Sequence, residues 1–111
     1  MSDDRLLVQD ILQALERIFE YTEEGRDIFM ADHRTQDAVI RNLEVIGEAA
    51  KSVTRTLRAR HPDLPWLEMA GLRDKLIHDY AGVDLAIVWN VIDQELPGLH
   101  DSLTALLDGW S

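Results

Sequence analysis

Apolar residues recur along this chain at steps of three and four, the spacing of helices with one buried face. Leu7, Ile11, Ala14, Leu15 and Ile18 mark a first helix running to about Glu24, where Gly25 weakens the pattern. Ser2 can cap it, with Asp3 and Asp4 placed favourably against its dipole. A short turn carrying Ile28, Phe29 and Met30 follows. Asp32 or Thr35 can start the next helix, whose stripe of Val39, Leu43, Ile46, Ala50, Val53 and Leu57 predicts about six turns. His61-Pro62 should end it, because a residue before proline is pushed out of helical geometry. Pro65 suits the first position of another helix, from Trp66 to about Tyr80. Gly82 is a natural stop, and Asp84 a natural cap for the last helix. There Leu85, Val88, Trp89, Ile92 and Leu96 share a face. Pro97-Gly98 should kink or break that helix before Leu99, Leu103, Leu106 and Leu107 resume it.

These elements predict an all-α fold: an up-and-down bundle of four to five helices making a single domain over residues 1–111. An apolar content of 46%, with three Pro and six Gly, excludes a disordered tail. So much apolar face on a short chain also suggests that some is buried against a second copy. The chain has no Cys, which excludes disulfides and thiolate metal sites and fits a reducing compartment. Its N-terminus is polar with no apolar signal core, and no apolar run approaches membrane-spanning length. A cytoplasmic protein without membrane contact is expected.

Charge narrows the picture. The formal net charge of −10 argues against broad nucleic-acid binding, which needs a basic surface. Yet the charge is uneven. Residues 1–50 hold five basic and twelve acidic side chains, and residues 81–111 hold five acidic and no basic ones. Residues 51–80 alone are net positive, with six basic and four acidic. Lys51, Arg55, Arg58 and Arg60 there are either an ordinary solvated face or a local phosphate-attracting patch on an acidic body.

The positive third also contains Arg73-Asp74-Lys75-Leu76-Ile77-His78-Asp79-Tyr80, an Arg-x4-His-x-Tyr array near a predicted helix end. Arginine clamps phosphate bidentately and stays charged; histidine moves protons near neutrality. Metal-free RNA cleavage asks for both. On an ideal helix Arg73 falls within the stripe of Trp66, Met69, Leu72, Leu76 and Ile77, while His78 lies about 140° away from it. Either the helix loosens at His78 or the site is shared between two chains. Structurally, Arg73 could instead be a buried cation held by Asp74 or another carboxylate, and His78 a partner for the helix dipole. His33, His61, His78 and His100 have no close ligand spacing, and no His-Glu-x-x-His motif occurs, so neither a metal nor a cofactor is expected. Trp66, Trp89 and Trp110 could stack bases, though the first two read better as core.

Three colinear segments carry a family resemblance. Arg41-Asn42-Leu43-Glu44-Val45-Ile46-Gly47-Glu48-Ala49-Ala50-Lys51, Gly71 through Tyr80, and Gly82-Val83-Asp84 through Val88-Trp89 with Leu96-Pro97 resemble the HepT-like toxins of the HEPN superfamily. That resemblance implies a small HEPN-like helical homodimer acting as a metal-independent RNase toxin. It implies a minimal nucleotidyltransferase (MNT) antitoxin as partner. Arg73 and His78 would be the catalytic pair, Tyr80 the residue the antitoxin AMPylates, and Asp74 a conforming support beside Arg73. Lys51, Arg55 and Lys75 are candidate RNA contacts. The product expected is a 2′,3′-cyclic phosphate, because RNA supplies its own 2′-OH nucleophile. The competing expectation is a non-catalytic helical adaptor that binds and stabilises a nucleotidyltransferase.

Overall fold

The structure is a computed structural model that describes residues 3–78 and 84–110; the side chains of residues 73–78 lie outside the described set. Among the described residues every regular element is helical. The long rods are α1 (Asp4–Tyr21), α3 (His33–Ser52), α5 (Trp66–His78), and α6 (Leu85–Asn90) continued through a π-helical turn (Val91–Glu95) into α7 (Leu96–Asp108). Two short helices, α2 (Arg26–Ala31) and α4 (Arg55–Arg60), bridge between them. The all-α bundle expected from the periodicity is the observed fold.

Helix α3 is its spine, packing along α1 on one side and α5 on the other. Val8, Ile11, Leu15 and Ile18 of α1 and Val39, Leu43 and Ile46 of α3 are almost completely buried. Leu103 of α7 closes the core, and Phe29 of α2 enters it from one end. Phe29 meets the ring of Trp89 at 5.6 Å, tying α2 to α6.

The caps differ from the expectation in detail. Asp3, not Ser2, caps α1, its Oδ1 accepting from the Arg5 amide at 2.9 Å; Ser2 lies outside the described residues. Asp32 caps α3, accepting from the Arg34 amide at 3.0 Å and the Thr35 hydroxyl at 2.8 Å. Those donors favour the carboxylate and hold its pKa below the ordinary value, with Thr35 contributing most. Gly25 opens α2 at φ 98°, ψ −177°, backbone that side-chain-bearing residues rarely adopt.

One expectation fails and another is met only in part, each for an identifiable reason. The apolar stripe from Val39 to Leu57 is not one six-turn helix. Val53 is extended (ψ 138°), and Thr54 starts α4, its hydroxyl accepting from the Leu57 amide. Asp4 of α1 accepts from both the Thr54 amide, at 3.0 Å, and the Thr54 hydroxyl, so a tertiary contact fixes the break. At the other end, Pro97 does not break the last rod. Proline removes an amide donor, and its ring crowds the carbonyl four residues back. The chain widens to a π turn, with the Leu96 amide donating to the Val91 carbonyl five residues behind, and the helix carries on.

Candidate active site on helix α5

Helix α5 is held at its start by a small web of bonds. The Trp66 indole Nε1 donates to the His61 carbonyl at 2.9 Å, and the Met69 amide donates to the Pro65 carbonyl at 2.9 Å. Trp66 and Met69 are buried, and Leu72 is half-buried, so the inner face predicted for this helix is the inner face found. Trp66 is therefore core, as its position suggested; Trp89 is half-buried against the same core.

The opposite face is open at its start. Leu67 is 80% exposed, and a Cβ added at Gly71 would meet nothing within 4 Å. Counting on by three and four from Leu67 reaches Gly71, Asp74 and His78, which share that register. The backbone is α-helical through His78. Five residues of unbroken α-helix turn Arg73 and His78 about 140° apart. Of the two ways sequence left open for uniting them, loosening of the helix at His78 is thus not what the backbone does.

The described residues include only part of the proposed site. Arg73, Asp74, Lys75 and His78 sit on the last turns of α5, their side chains outside the described set, and Tyr80 and Gly82 lie outside the described residues altogether. Lys51 is exposed in the last turn of α3, and Arg55 is exposed at the first position of α4. Arg58 is less available than a solvated patch requires. Its Nη2 donates to the Val53 carbonyl at 2.9 Å, and its Nε is enclosed without a hydrogen-bond partner. It fastens the α3–α4 break. Among the described residues no group of three His, Asp or Glu side chains stands ready to hold a metal ion, and no helix is long and apolar enough to cross a membrane.

Downstream of the site, Asp84 caps α6 as expected, its Oδ1 accepting from the Ala86 amide at 2.9 Å. A concavity that the sequence gives no means of finding lies between α4 and α7. Arg60, His61 and Trp110 border a cleft of about 360 Å³ there. His61 had read only as a helix terminator.

The bundle is an all-helical domain of HEPN-like form. The chain belongs to the HepT-like family: the family model described as "Ribonuclease HepT-like" matches residues 11–106. A Thermococcus cleftensis protein named "Probable ribonuclease HepT" is 46% identical over 100 residues, covering 89% of this chain and 91% of its own. A Methanocaldococcus jannaschii protein whose name provisionally calls it an RNase is 43% identical over 96 residues, covering 86% of this chain and 79% of its own. A similarly named Caldanaerobacter subterraneus protein is 38% identical over 108 residues, covering 96% of both. No solved structure gives a significant match.

Proposed function

We propose that this protein is a metal-independent RNase toxin that works as a homodimer. Arg73 and His78 form the site, and an MNT-type nucleotidyltransferase silences it by AMPylating Tyr80. The observation that carries the reading is membership of a ribonuclease-named family by a chain whose Arg-x4-His array rides on an unbroken helix. Because that helix separates Arg73 from His78 by about 140°, a single copy cannot readily aim both at one phosphate. A second copy packed against the end of α5 can bring its own Arg73 or His78 to the phosphate that one copy cannot serve alone.

The chemistry needs no covalent intermediate. The 2′-OH of RNA attacks the adjacent phosphorus, and the bond to the 5′-oxygen breaks, leaving a 2′,3′-cyclic phosphate and a 5′-hydroxyl. One His78 takes the 2′-OH proton while the second copy's His78 gives a proton to the departing oxygen. Arg73 neutralises charge building on the phosphoryl oxygens, where a positioned cation does most. Asp74 supports Arg73 by charge, and Lys51, Arg55 and Lys75 hold flanking phosphates. AMP on Tyr80 would place an anion and a bulky nucleoside beside the site, repelling and obstructing RNA.

The test is RNA cleavage in EDTA with mapping of product ends, comparing the parent protein with folded, dimeric Arg73→Ala and His78→Ala. Cyclic-phosphate ends that disappear in both variants, with activity falling on dilution below the dimer dissociation constant, are the expected result. Equal background from all three proteins on total RNA and tRNA would overturn the reading. It would leave a helical adaptor for a nucleotidyltransferase as the better account.

A further inference from the structure

The cleft between α4 and α7 joins side chains that the α5 site does not use. Arg60, His61 and Trp110 line its main part, of about 360 Å³, above a floor containing Ala105. An adjoining cleft of about 310 Å³ shares His61 and Ala105 and adds Asp63 and Ser102. Together they fall in the size range of small-molecule sites.

Each wall offers a distinct chemistry. Arg60 is exposed, and its guanidinium makes no ion pair or hydrogen bond among the described residues. The His61 backbone is fully engaged, its amide donating to the Leu57 carbonyl at 3.1 Å and its carbonyl accepting from Trp66. That fixes the residue at the edge of the cavity it lines. Trp110 packs partly against the core and is otherwise open to the cleft. The floor stays low because Ala105 of α7 and Gly109, which caps that helix, are both small. A Cβ on Gly109 would sit 3.6 Å from the Ala105 carbonyl oxygen, an ordinary contact, so α7 itself would accept a side chain there that the cleft would then lose.

A cation and an imidazole, an indole beside them, and a carboxylate and hydroxyl further along match the three parts of a nucleotide. We propose that this groove binds one: phosphate at Arg60 and His61, base against Trp110, and sugar or base amino groups towards Asp63 and Ser102. The nucleotide is either an unpaired residue of an RNA strand or a free mononucleotide. The RNA source rests on the RNase reading above. The groove's His61 accepts from Trp66 at the start of α5, and His78 lies about 18 Å further along that helix, a span of a few nucleotides. An RNA anchored here would be held by its flank, not at its cleavage point.

The experiment follows the indole N–H resonances of the intact protein by NMR, with Trp110 assigned through Trp110→Phe. The probes are a 2′-O-methyl RNA hexamer, which cannot be cleaved, and AMP and UMP separately. The Trp110 resonance should move with a saturable dependence on probe concentration. Arg60→Ala, which removes an exposed and unpartnered side chain, should weaken binding by about five- to tenfold at low salt, as should floor-filling Ala105→Phe. Movement with the hexamer alone assigns the groove to RNA; movement with mononucleotides at similar concentrations assigns it to a free nucleotide. A Trp110 resonance unmoved by every probe at millimolar concentration, or equal affinity in Arg60→Ala and parent, overturns the proposal. Cleavage assayed in EDTA on the same samples separates the two readings. Intact cleavage with an unmoved Trp110 removes only the groove, and binding without cleavage removes only the RNase.

Discussion

Replacing Gln36 with Met should show how strongly one side chain holds the end of the bundle that leads to the site. Helix α2 is only six residues long, and its last carbonyls have no intrahelical partners. The Asp32 amide satisfies Ile28 at 3.0 Å. The Gln36 Nε2 reaches across from α3 to the next two, donating to the Phe29 carbonyl at 3.0 Å and the Met30 carbonyl at 3.2 Å. Gln36 is only 8% exposed, so water cannot readily replace it. Methionine keeps the volume and removes both donors. Each hydrogen bond is worth about 1 kcal/mol net, and stranding a buried carbonyl adds to that, so the loss should reach about 2–3 kcal/mol. For a domain of this size that corresponds to a fall in Tm of roughly 8–12 °C. Urea denaturation monitored by circular dichroism measures it, and the m-value should stay constant because the unfolded chain is unchanged. Gln36→Glu should be worse near neutrality than in acid, since only the protonated acid can donate. A loss below about 0.5 kcal/mol for Gln36→Met would refute the view that this amide secures α2.

Other outcomes follow from the same structure. Met69→Ala, at a side chain 2% exposed on the inner face of α5, should cost about 2–5 kcal/mol by chemical denaturation, because a cavity would open between α5 and the core. Trp66→Phe removes the donor to the His61 carbonyl and should cost about 1 kcal/mol or more, read as a lower urea midpoint at constant m-value. Asp32→Ala should destabilise α3 at neutral pH. Because the Asp32 pKa is depressed in the folded protein, its contribution is full above the unfolded carboxylate pKa and disappears as pH falls through the folded one. Melting curves of the two proteins should therefore converge in acid. On the proposed mechanism His78→Ala should abolish cleavage while leaving Tm within about 1 °C of the parent, as Leu67 in the same helical register is 80% exposed.

The helical class and most of the core could be read directly from the sequence, because periodicity reports burial and burial drives these helices. Val39, Leu43 and Ile46 sit where their spacing put them. The break at Val53-Thr54 could not be read that way, because it depends on Asp4, fifty residues earlier, accepting from Thr54. The apolar stripe continues across the break since Val53 and Leu57 are both buried on either side of it. Helix α5 was legible too, and its backbone, α-helical through His78, keeps the turn of about 140° between positions 73 and 78 that the spacing predicts. The groove at Arg60, His61 and Trp110 was not legible, since its walls come from opposite ends of the second half of the chain.

The π turn before Pro97 gives the last rod a spare residue. A helix that takes in five residues where the α ladder uses four stores a one-residue insertion inside a continuous element, without a loop to advertise it. Shortening the exposed run Asp93-Gln94-Glu95 by one residue, together with Pro97→Ala, should return the rod to plain α-helix with Leu103 and Leu106 still meeting the core. Chains of this kind can therefore differ in length by one at this point and keep both ends of the bundle in place. A length difference here records how a proline was accommodated in the last rod.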